Sequence, residues 1–426
     1  MNNATYLMNT SPVRIFRTHL RAGHLFPANL PRHVTALTLS VTLLLAISFA
    51  RVAPAAQMIK TIPEIQKLTD PDGGSDGNFG AVVAISGDLA IVGNPHDPIK
   101  GFNSGSASIF AFDGTSWNLQ AKLTANDEVA PELFGSAVAI SGNMALIGAP
   151  FDSTLASLAG AVYVFTFDGT TWTQRAKLFA SDPATSSLFG QSVALSGDTA
   201  LIGAFFSGPG SAYVFKFDGT AWSEQAKLTA ADGATSDFFG WSVSLSENRA
   251  LVGAYSNGLG GAAYIFSFDG TTWSQEAKLT GLDTRQDDQF GYAVALSGDL
   301  ALIGAPNRDQ GRGAAYIFAY DGTSWSQQTK FRITGAMKFE YFGSSVALTP
   351  TASLVGARNV SAPGKIYQYS LRRNVWTLRA QFIPTDSADG DRLGVSVALS
   401  GNTVLGGADD DFNSGSGSAY IFKLSR

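Results

Sequence analysis

The chain has 426 residues, with 34 acidic and 29 basic side chains, a formal net charge of −5 and no cysteine. The lack of cysteine excludes disulfides, thiolate catalysis and cysteine-based metal sites. The 46 glycines and the 45% of apolar residues indicate a β-rich protein with many tight turns and enough apolar side chains for a large core.

The first element in the chain is a candidate export signal. Residues 1–33 contain four arginines and no acidic residue, and a mainly apolar run follows at 34–50. Small residues at Ala53 and Ala55 give the spacing of a cleavage site. We predict a signal peptide with a long basic leader over residues 1–55. An uncleaved N-terminal anchor is the alternative, because a run of 17 residues is near the shortest that spans a membrane.

Either reading takes the rest of the chain out of the cytoplasm, to a secreted, extracellular, cell-surface or periplasmic location. Cleavage after Ala55 would remove five arginines and no acid, which leaves 24 basic against 34 acidic residues. Such a chain has no dominant basic surface, so we expect no nucleic-acid partner. A membrane is expected as a partner only through the possible anchor.

An internal repeat fills the remaining chain. A Phe-Gly or Leu-Gly pair occurs seven times at spacings of 50 to 55 residues, and another glycine follows each pair by thirteen residues. A constant internal distance with variable spacing indicates rigid units joined by tolerant loops. The pairs are Phe79-Gly80, Phe134-Gly135, Phe189-Gly190, Phe239-Gly240, Phe290-Gly291, Phe342-Gly343 and Leu393-Gly394, and the following glycines are Gly93, Gly148, Gly203, Gly253, Gly304, Gly356 and Gly407.

Each unit is predicted to contain four short strands. In the fifth copy the first two are Tyr292–Leu296 and Leu300–Ile303. In the fourth copy the last two are Ala263–Phe268 and Trp273–Leu279, joined at Asp269-Gly270, a strong hairpin signal. Apolar and polar residues alternate along the fourth strand, which is typical of a half-exposed outer strand.

The position of the fourth strands favours a closed ring. A Trp…Lys-Leu pattern or a close variant of it marks this strand six times, but the seventh copy ends at Leu424 without it. The missing strand is matched by Ile65–Leu68, which precedes the first repeat. A solenoid has no use for a displaced strand, whereas a ring does. The predicted fold is therefore all-β: a seven-bladed β-propeller of four-stranded antiparallel blades over residues 56–426, closed by the N-terminal strand.

The Phe-Gly pairs, together with Gly148-Ala149-Pro150 and Gly304-Ala305-Pro306, resemble FG-GAP repeats. These repeats form the propeller of integrin α-subunits and of many exported bacterial proteins, and the exported bacterial subclass is the most similar. The resemblance implies extracellular recognition, often adhesion. Integrin-type blades carry an Asp-rich calcium loop, which here is reduced to turns such as Ser86-Gly87-Asp88. One carboxylate cannot supply the six to eight oxygens that calcium takes, so the family's calcium sites are not expected here.

Aromatic residues at the predicted channel mouth suggest a ligand site. The loops between the second and third strands vary freely, and recognition residues often lie on variable loops of a rigid scaffold. Aromatic side chains there would suit a sugar or peptide, and packing between blades is the alternative explanation for them. The candidate ligand-binding residues are Gln191, Phe205, Phe206, Trp241, Tyr255 and Tyr292.

Charged clusters give two weaker candidates. A basic sector could bind an anionic glycan or lipid head group, or could simply be a solvated face. Acidic loops could bind calcium, although Asp is also a good loop former; no cofactor is expected to be required. The basic residues are Arg358, Lys365, Arg372 and Arg373, and the candidate metal ligands are Asp70, Asp72, Asp76, Asp386, Asp389 and Asp391.

The sequence gives little support for catalysis. After cleavage His96 would be the only histidine, and the aspartates that recur in the hairpins have a turn function. We therefore expect a non-catalytic recognition or adhesion propeller that binds a glycan or a cell-surface protein. The alternatives are a carboxylate-based enzyme acting on extracellular polysaccharide and a structural component of an envelope assembly.

Overall fold

A computed structural model describes residues 59–73, 77–127, 132–359, 362–409 and 416–425. The predicted signal peptide or anchor lies outside the described residues. The chain from Ile59 to Arg426 is one compact unit. Among the described residues, none belongs to a helix long and apolar enough for a membrane span. The fold is a seven-bladed β-propeller, with one antiparallel sheet of four repeat strands in each blade.

The blades follow one another in chain order. Blades 1 to 3 consist of β3 (Val82–Ser86), β4 (Leu89–Asn94), β5 (Ser106–Phe112) and β6 (Trp117–Leu123); β7 (Ala137–Ser141), β8 (Met144–Ala149), β9 (Ala161–Phe167) and β10 (Trp172–Leu178); and β11 (Ser192–Ser196), β12 (Thr199–Ala204), β13 (Ser211–Phe217) and β14 (Trp222–Leu228). Blades 4 and 5 consist of β15 (Ser242–Ser246), β16 (Arg249–Ala254), β17 (Ala262–Phe268) and β18 (Trp273–Leu279); and β19 (Ala293–Ser297), β20 (Leu300–Ala305), β21 (Ala314–Tyr320) and β22 (Trp325–Phe331).

Blades 6 and 7 also contain the two N-terminal strands. Blade 6 consists of β23 (Phe342–Leu348), β24 (Ala352–Ala357), β25 (Lys365–Arg372), β26 (Val375–Phe382) and β1 (Lys60–Ile62). Blade 7 consists of β27 (Ser396–Ser400), β28 (Thr403–Ala408), β29 (Ser418–Lys423) and β2 (Gln66–Leu68). A single short helical turn, α1 (Arg308–Gly311), is the one helix in the described ranges.

The core lies between the blades rather than within one layer. The middle strands are apolar on both faces because each sheet is covered by a neighbour on either side. Val214 of blade 3, for example, packs in one cluster with Ala250 and Val252 of blade 4, and all three are fully buried. Burial of this kind contributes roughly 25 cal/mol per Å² of apolar surface, so the stability of the ring resides in the blade-to-blade contacts.

Two glycines set the distance between neighbouring blades. Gly240 has a φ of +93°, a backbone conformation that favours glycine. A Cβ on Gly203 of blade 3 would collide with the Gly240 carbonyl oxygen of blade 4. The same contact joins Gly407 of blade 7 to Gly80 of blade 1, so the ring closes with the geometry found at its other joints.

The predicted closing strand is confirmed. β2 pairs antiparallel with β29 in blade 7, with Gln66 opposite Ile421 and Leu68 opposite Ala419. The predicted strand boundaries lie within one or two residues of those observed, and Trp273–Leu279 is found as predicted.

Blade 6 differs from the prediction of four strands, because β1 adds a fifth. β1 runs parallel to β26, with Lys60 beside Ala380 and Ile62 beside Phe382. β1 has no counterpart in the repeat, so the periodicity could not reveal it. The hairpin of this blade also differs, since Arg373 and Asn374 both have positive φ and replace the Asp-Gly turn by a tighter one.

Closure by β2 predicts that Leu68 is a stability determinant although it lies far outside the seventh repeat in sequence. Leu68 is 2% exposed, whereas Ile65, three residues earlier, is 56% exposed. Leu68→Ala should lower the free energy of unfolding by about 2–5 kcal/mol because it leaves a cavity in a closed core. Ile65→Ala should change it by less than ~1 kcal/mol. Urea denaturation of the two variants checks this, and equal effects would contradict closure through β2.

Candidate binding face

The antiparallel order of the strands divides the loops between two faces of the ring. The loops between second and third strands and the loops between blades lie on one face, which we call the variable-loop face. The short first-to-second and third-to-fourth turns lie on the other. There, Asp269 accepts hydrogen bonds from the backbone N–H groups of Thr271 and Thr272, both at 2.8 Å. The hairpin aspartates thus have the turn function that the sequence predicted.

Five of the six candidate ligand-binding residues come together on the variable-loop face. Together with Phe238 they form a continuous row of rings across blades 3 to 5, which we call the aromatic path: Phe205, Phe206, Phe238, Trp241, Tyr255 and Tyr292. Gln191 occupies the position in blade 3 that corresponds to Trp241 and Tyr292, and it is half-buried.

The aromatic path has a buried base and an exposed end. Phe205 is 7% exposed, and its ring lies edge-on to Trp241 at 4.9 Å between centroids. Phe206 is 53% exposed, and its ring is nearly parallel to that of Phe238 at 6.1 Å. Packing between blades therefore explains Phe205, but it leaves about half of Phe206 exposed to solvent. Burial raises the pKa of Tyr255 above its ordinary value, so this phenol stays neutral.

Sequence reasoning missed two aromatic residues of this face, Phe238 and Tyr341. Both immediately precede a Phe-Gly pair, and both have positive φ, 58° and 51°. The sequence did contain the information needed to find them. An alignment of the seven Phe-Gly or Leu-Gly pairs shows the residue before each pair, which is aromatic at Phe238 and Tyr341.

The four candidate basic residues do not form one patch. Arg358 follows β24 on the variable-loop face, and Lys365 begins β25 close to it. Arg372 ends β25 seven residues later, about 23 Å away at ~3.3 Å per residue, and Arg373 lies in the adjoining hairpin. Within the described part of the chain Arg358 alone of the four contacts aromatic rings, with its guanidinium carbon 5.7 Å from the Tyr292 centroid and 5.5 Å from that of Tyr341.

Three candidate metal ligands, Asp70, Asp72 and Asp386, form ion pairs with lysines. The pair of Asp386 belongs to a set that recurs between blades. A lysine next to the last residue of a fourth strand binds an aspartate from the loop that leaves the preceding blade. These inter-blade ion pairs join Lys177 to Asp127, Lys227 to Asp182, Lys278 to Asp232, Lys330 to Asp283 and Lys67 to Asp386. Asp386 therefore serves ring closure, since Lys67 lies on β2.

The remaining acidic candidates are dispersed. Asp391 accepts a hydrogen bond from the Ala388 N–H at 2.6 Å within its own loop, and Asp389 lies in the same loop. Asp76 lies outside the described residues. Asp409, an aspartate outside the candidate set, pairs with Arg392 at 2.9 Å, and both side chains are buried.

One group of three carboxylates among the described residues has metal-like spacing. Oxygens of Asp70, Asp72 and Asp97 lie within 4.8 Å of one another. The Lys122 ammonium binds all three, at 2.6 Å from Asp97 and 3.2 Å from Asp70. Burial opposes the charge of Lys122, but its hydrogen bonds to Asp72 and Asp97 outweigh this and raise the pKa above its ordinary value. The lysine thus holds the place of a cation, and calcium at this group stays a prediction.

The repeated architecture can now be compared with known proteins. A family model described as FG-GAP repeat matches residues 63–110, 117–165, 172–215, 222–266, 273–318 and 376–422, which is more than half of the chain. The chain belongs to the FG-GAP repeat family. The unmatched stretch 319–375 contains three strands of blade 6, the blade that also departs from the repeat in its hairpin and its fifth strand. In the comparison with curated proteins nothing matches the chain.

Membership of this family has a general functional meaning. An FG-GAP propeller is a fold typical of protein-interaction or adhesion domains, and FG-GAP repeats typically occur in extracellular or surface domains. The fold of this chain therefore suggests a protein-interaction or adhesion-type domain.

The inter-blade ion pairs predict acid sensitivity. The hydrogen bond from Lys278 lowers the pKa of Asp232, more than burial raises it. A carboxyl whose pKa is lower in the folded state contributes stability above its unfolded pKa, near 3.9, and loses it as the pH falls through the folded value. The free energy of unfolding of the native chain should therefore fall between about pH 5 and pH 2.

Asp232→Asn and Lys278→Met should each make this fall smaller, and the double variant should add little to either. Urea denaturation at a series of pH values measures it. Independent, additive effects of the two substitutions would rule out the pair as the cause.

The group around Lys122 predicts a created metal site. Lys122→Met leaves three carboxylates without their cation, and the buried Asn94 Oδ1, which has no hydrogen-bond partner within the described part of the chain, is a further oxygen nearby. The variant should unfold at a lower temperature, because it removes one partner of a partly buried ion-pair group. Excess calcium should raise the melting temperature of the variant more than that of the native chain. Lack of any calcium effect on the variant would refute this group as a calcium site.

Proposed function

We propose that this FG-GAP repeat propeller is an exported, non-catalytic recognition or adhesion protein that binds a glycan or a cell-surface protein on its variable-loop face. The observation that carries the proposal is the aromatic path, which crosses three blades and ends at the half-exposed Phe206. Aromatic side chains give a large contact area at low conformational cost, and they are enriched at recognition sites.

The surrounding scaffold supports a binding function. The aromatic path lies on strand ends and loops beside the inter-blade glycines, so the ring holds it in place before any ligand arrives. A site that is already formed loses less entropy on binding than a flexible one. An aromatic ring that is exposed to solvent lacks the stabilisation that burial would give it. A recognition function explains why such a ring is exposed at this site.

We propose no enzymatic activity. Asp386 and the acids around Lys122 are neutralised by lysines, and the hairpin aspartates are bound to their own backbone. These carboxyls are thereby engaged in holding the ring together. No cofactor is required for this function, and no nucleic-acid partner is proposed.

Binding of the full chain to a panel of glycans and to intact cell surfaces tests the proposal. At least one ligand should bind without being cleaved. Phe206→Ala combined with Trp241→Ala should weaken that binding at least tenfold, because the double variant removes the exposed end and the middle of the aromatic path.

Phe102→Ala is the matched control, since Phe102 is 78% exposed on the corresponding loop of blade 1, away from the aromatic path. It should leave binding unchanged. Cleavage of a bound polysaccharide would favour the carboxylate enzyme, and recovery of the protein only within an envelope complex would favour a structural role.

A further inference from the structure

One cation lies at the end of the aromatic path without an ionic partner. The Arg358 guanidinium stands between the rings of Tyr292 and Tyr341. Within the described residues it has no ion pair, and its buried Nε donates no hydrogen bond. The Arg358 side chain as a whole is half-buried, so part of it is open to a ligand at this end of the aromatic path.

Two other arginines of the ring, Arg392 and Arg308, have an acidic partner. Arg358 and Asp409 occupy the same repeat position, two residues after the glycines Gly356 and Gly407. In blade 7 the charge of Asp409 is compensated by Arg392. In blade 5, Arg308 pairs with Asp288 at 2.7 Å. Arg392 and Arg308 thus each contact an aspartate, whereas Arg358 contacts the rings of Tyr292 and Tyr341.

Continuity with the aromatic path indicates an extended ligand. Successive steps from Phe206 through Phe238, Tyr255 and Tyr292 to Arg358 measure 6.1, 5.3, 5.7 and 5.7 Å. A ligand that follows this row meets several aromatic faces and then one guanidinium. Arginine binds carboxylates through two parallel hydrogen bonds, which makes a carboxylate the matching group.

We propose that the variable-loop face binds a polysaccharide built from uronic acid units, with the sugar rings packed on the aromatic path and a carboxylate held by Arg358. This rests on the proposed function. A sugar ring packs its C–H face on an aromatic ring while its hydroxyls remain in water. An extended peptide needs partners for its backbone N–H and C=O groups, which the Phe205, Phe206 and Phe238 side chains do not offer.

The test uses the full chain with polygalacturonate and with the same polymer after methyl esterification, which masks the carboxylates and keeps the sugar. Polygalacturonate should bind at least tenfold more tightly than the ester, and this preference should shrink as salt is added. Arg358→Gln should remove the preference and leave the weaker binding of the ester unchanged. Arg358→Lys should restore only part of it, because an ammonium cannot form the two parallel hydrogen bonds.

Arg175→Gln is the control, an exposed arginine on the outer strand β10 of blade 2, and should bind both polymers as the native chain does. Equal binding of the two polymers, or an Arg358→Gln variant that keeps the preference, overturns the proposal while leaving glycan recognition standing. Arg358-dependent binding of a Glu-rich peptide in place of polygalacturonate overturns it in favour of a protein ligand. If Phe206→Ala with Trp241→Ala affects no ligand at all, the proposed function itself fails.

Discussion

The close approach of backbone to backbone between neighbouring blades is the constraint on which this propeller depends. At each joint a glycine of one blade lies against the carbonyl oxygen of the Phe-Gly glycine in the next, as Gly203 does against Gly240. A side chain at either position would push the blades apart, and the buried contacts between sheets would loosen around the whole circle. In the central joints a serine reinforces this contact, since Ser192 and Ser242 donate hydrogen bonds to the carbonyl oxygens of Gly240 and Gly291.

The same constraint explains where the candidate site lies. The residues of the aromatic path flank these glycines: Trp241 and Tyr292 directly follow one, and Phe205 and Tyr255 stand two residues after another. When glycines bring two blades together, the neighbouring side chains of both blades must converge at the channel mouth. The first of these positions holds Ala or Ser in copies one, two and six, and the second holds Pro in copies one, two and five. Aromatic residues there in blades 3 to 5 produce a row of rings from different blades.

The sequence revealed the parts of the structure that repeat. Blade number and strand limits follow from the spacing of the repeats. The closing strand follows from Ile65–Leu68, which matches the end of a fourth strand and lies before the first repeat. The inter-blade ion pairs were harder to foresee, since Asp232 and Lys278 are 46 residues apart and meet only through the path of a loop. Phe238 precedes a Phe-Gly pair, whereas the candidates Gln191, Trp241 and Tyr292 follow one, so Phe238 was not among the predicted residues. The contacts of Arg358 with Tyr292 and Tyr341 depend on how blades 5 and 6 lie against each other, which the sequence pattern does not specify.

Blade 6 shows how the fold compensates for a lost contact. The lysine of the inter-blade ion pair is replaced there by Gln381, and the preceding loop runs through Ile333-Thr334-Gly335 without an aspartate. Gln381 instead donates a hydrogen bond to Thr61 of β1 at 2.9 Å, and the Ile383 N–H donates to the Ile62 carbonyl oxygen. β1 also pairs with an outer strand that would otherwise present unpaired backbone groups. In blade 6 the contacts with β1 therefore take the place of the ion pair that stabilises the neighbouring blades. Because β1 and β2 are joined by only three residues, the segment that closes blade 7 is fastened to blade 6 as well, and the ring is held on both sides of its closing joint.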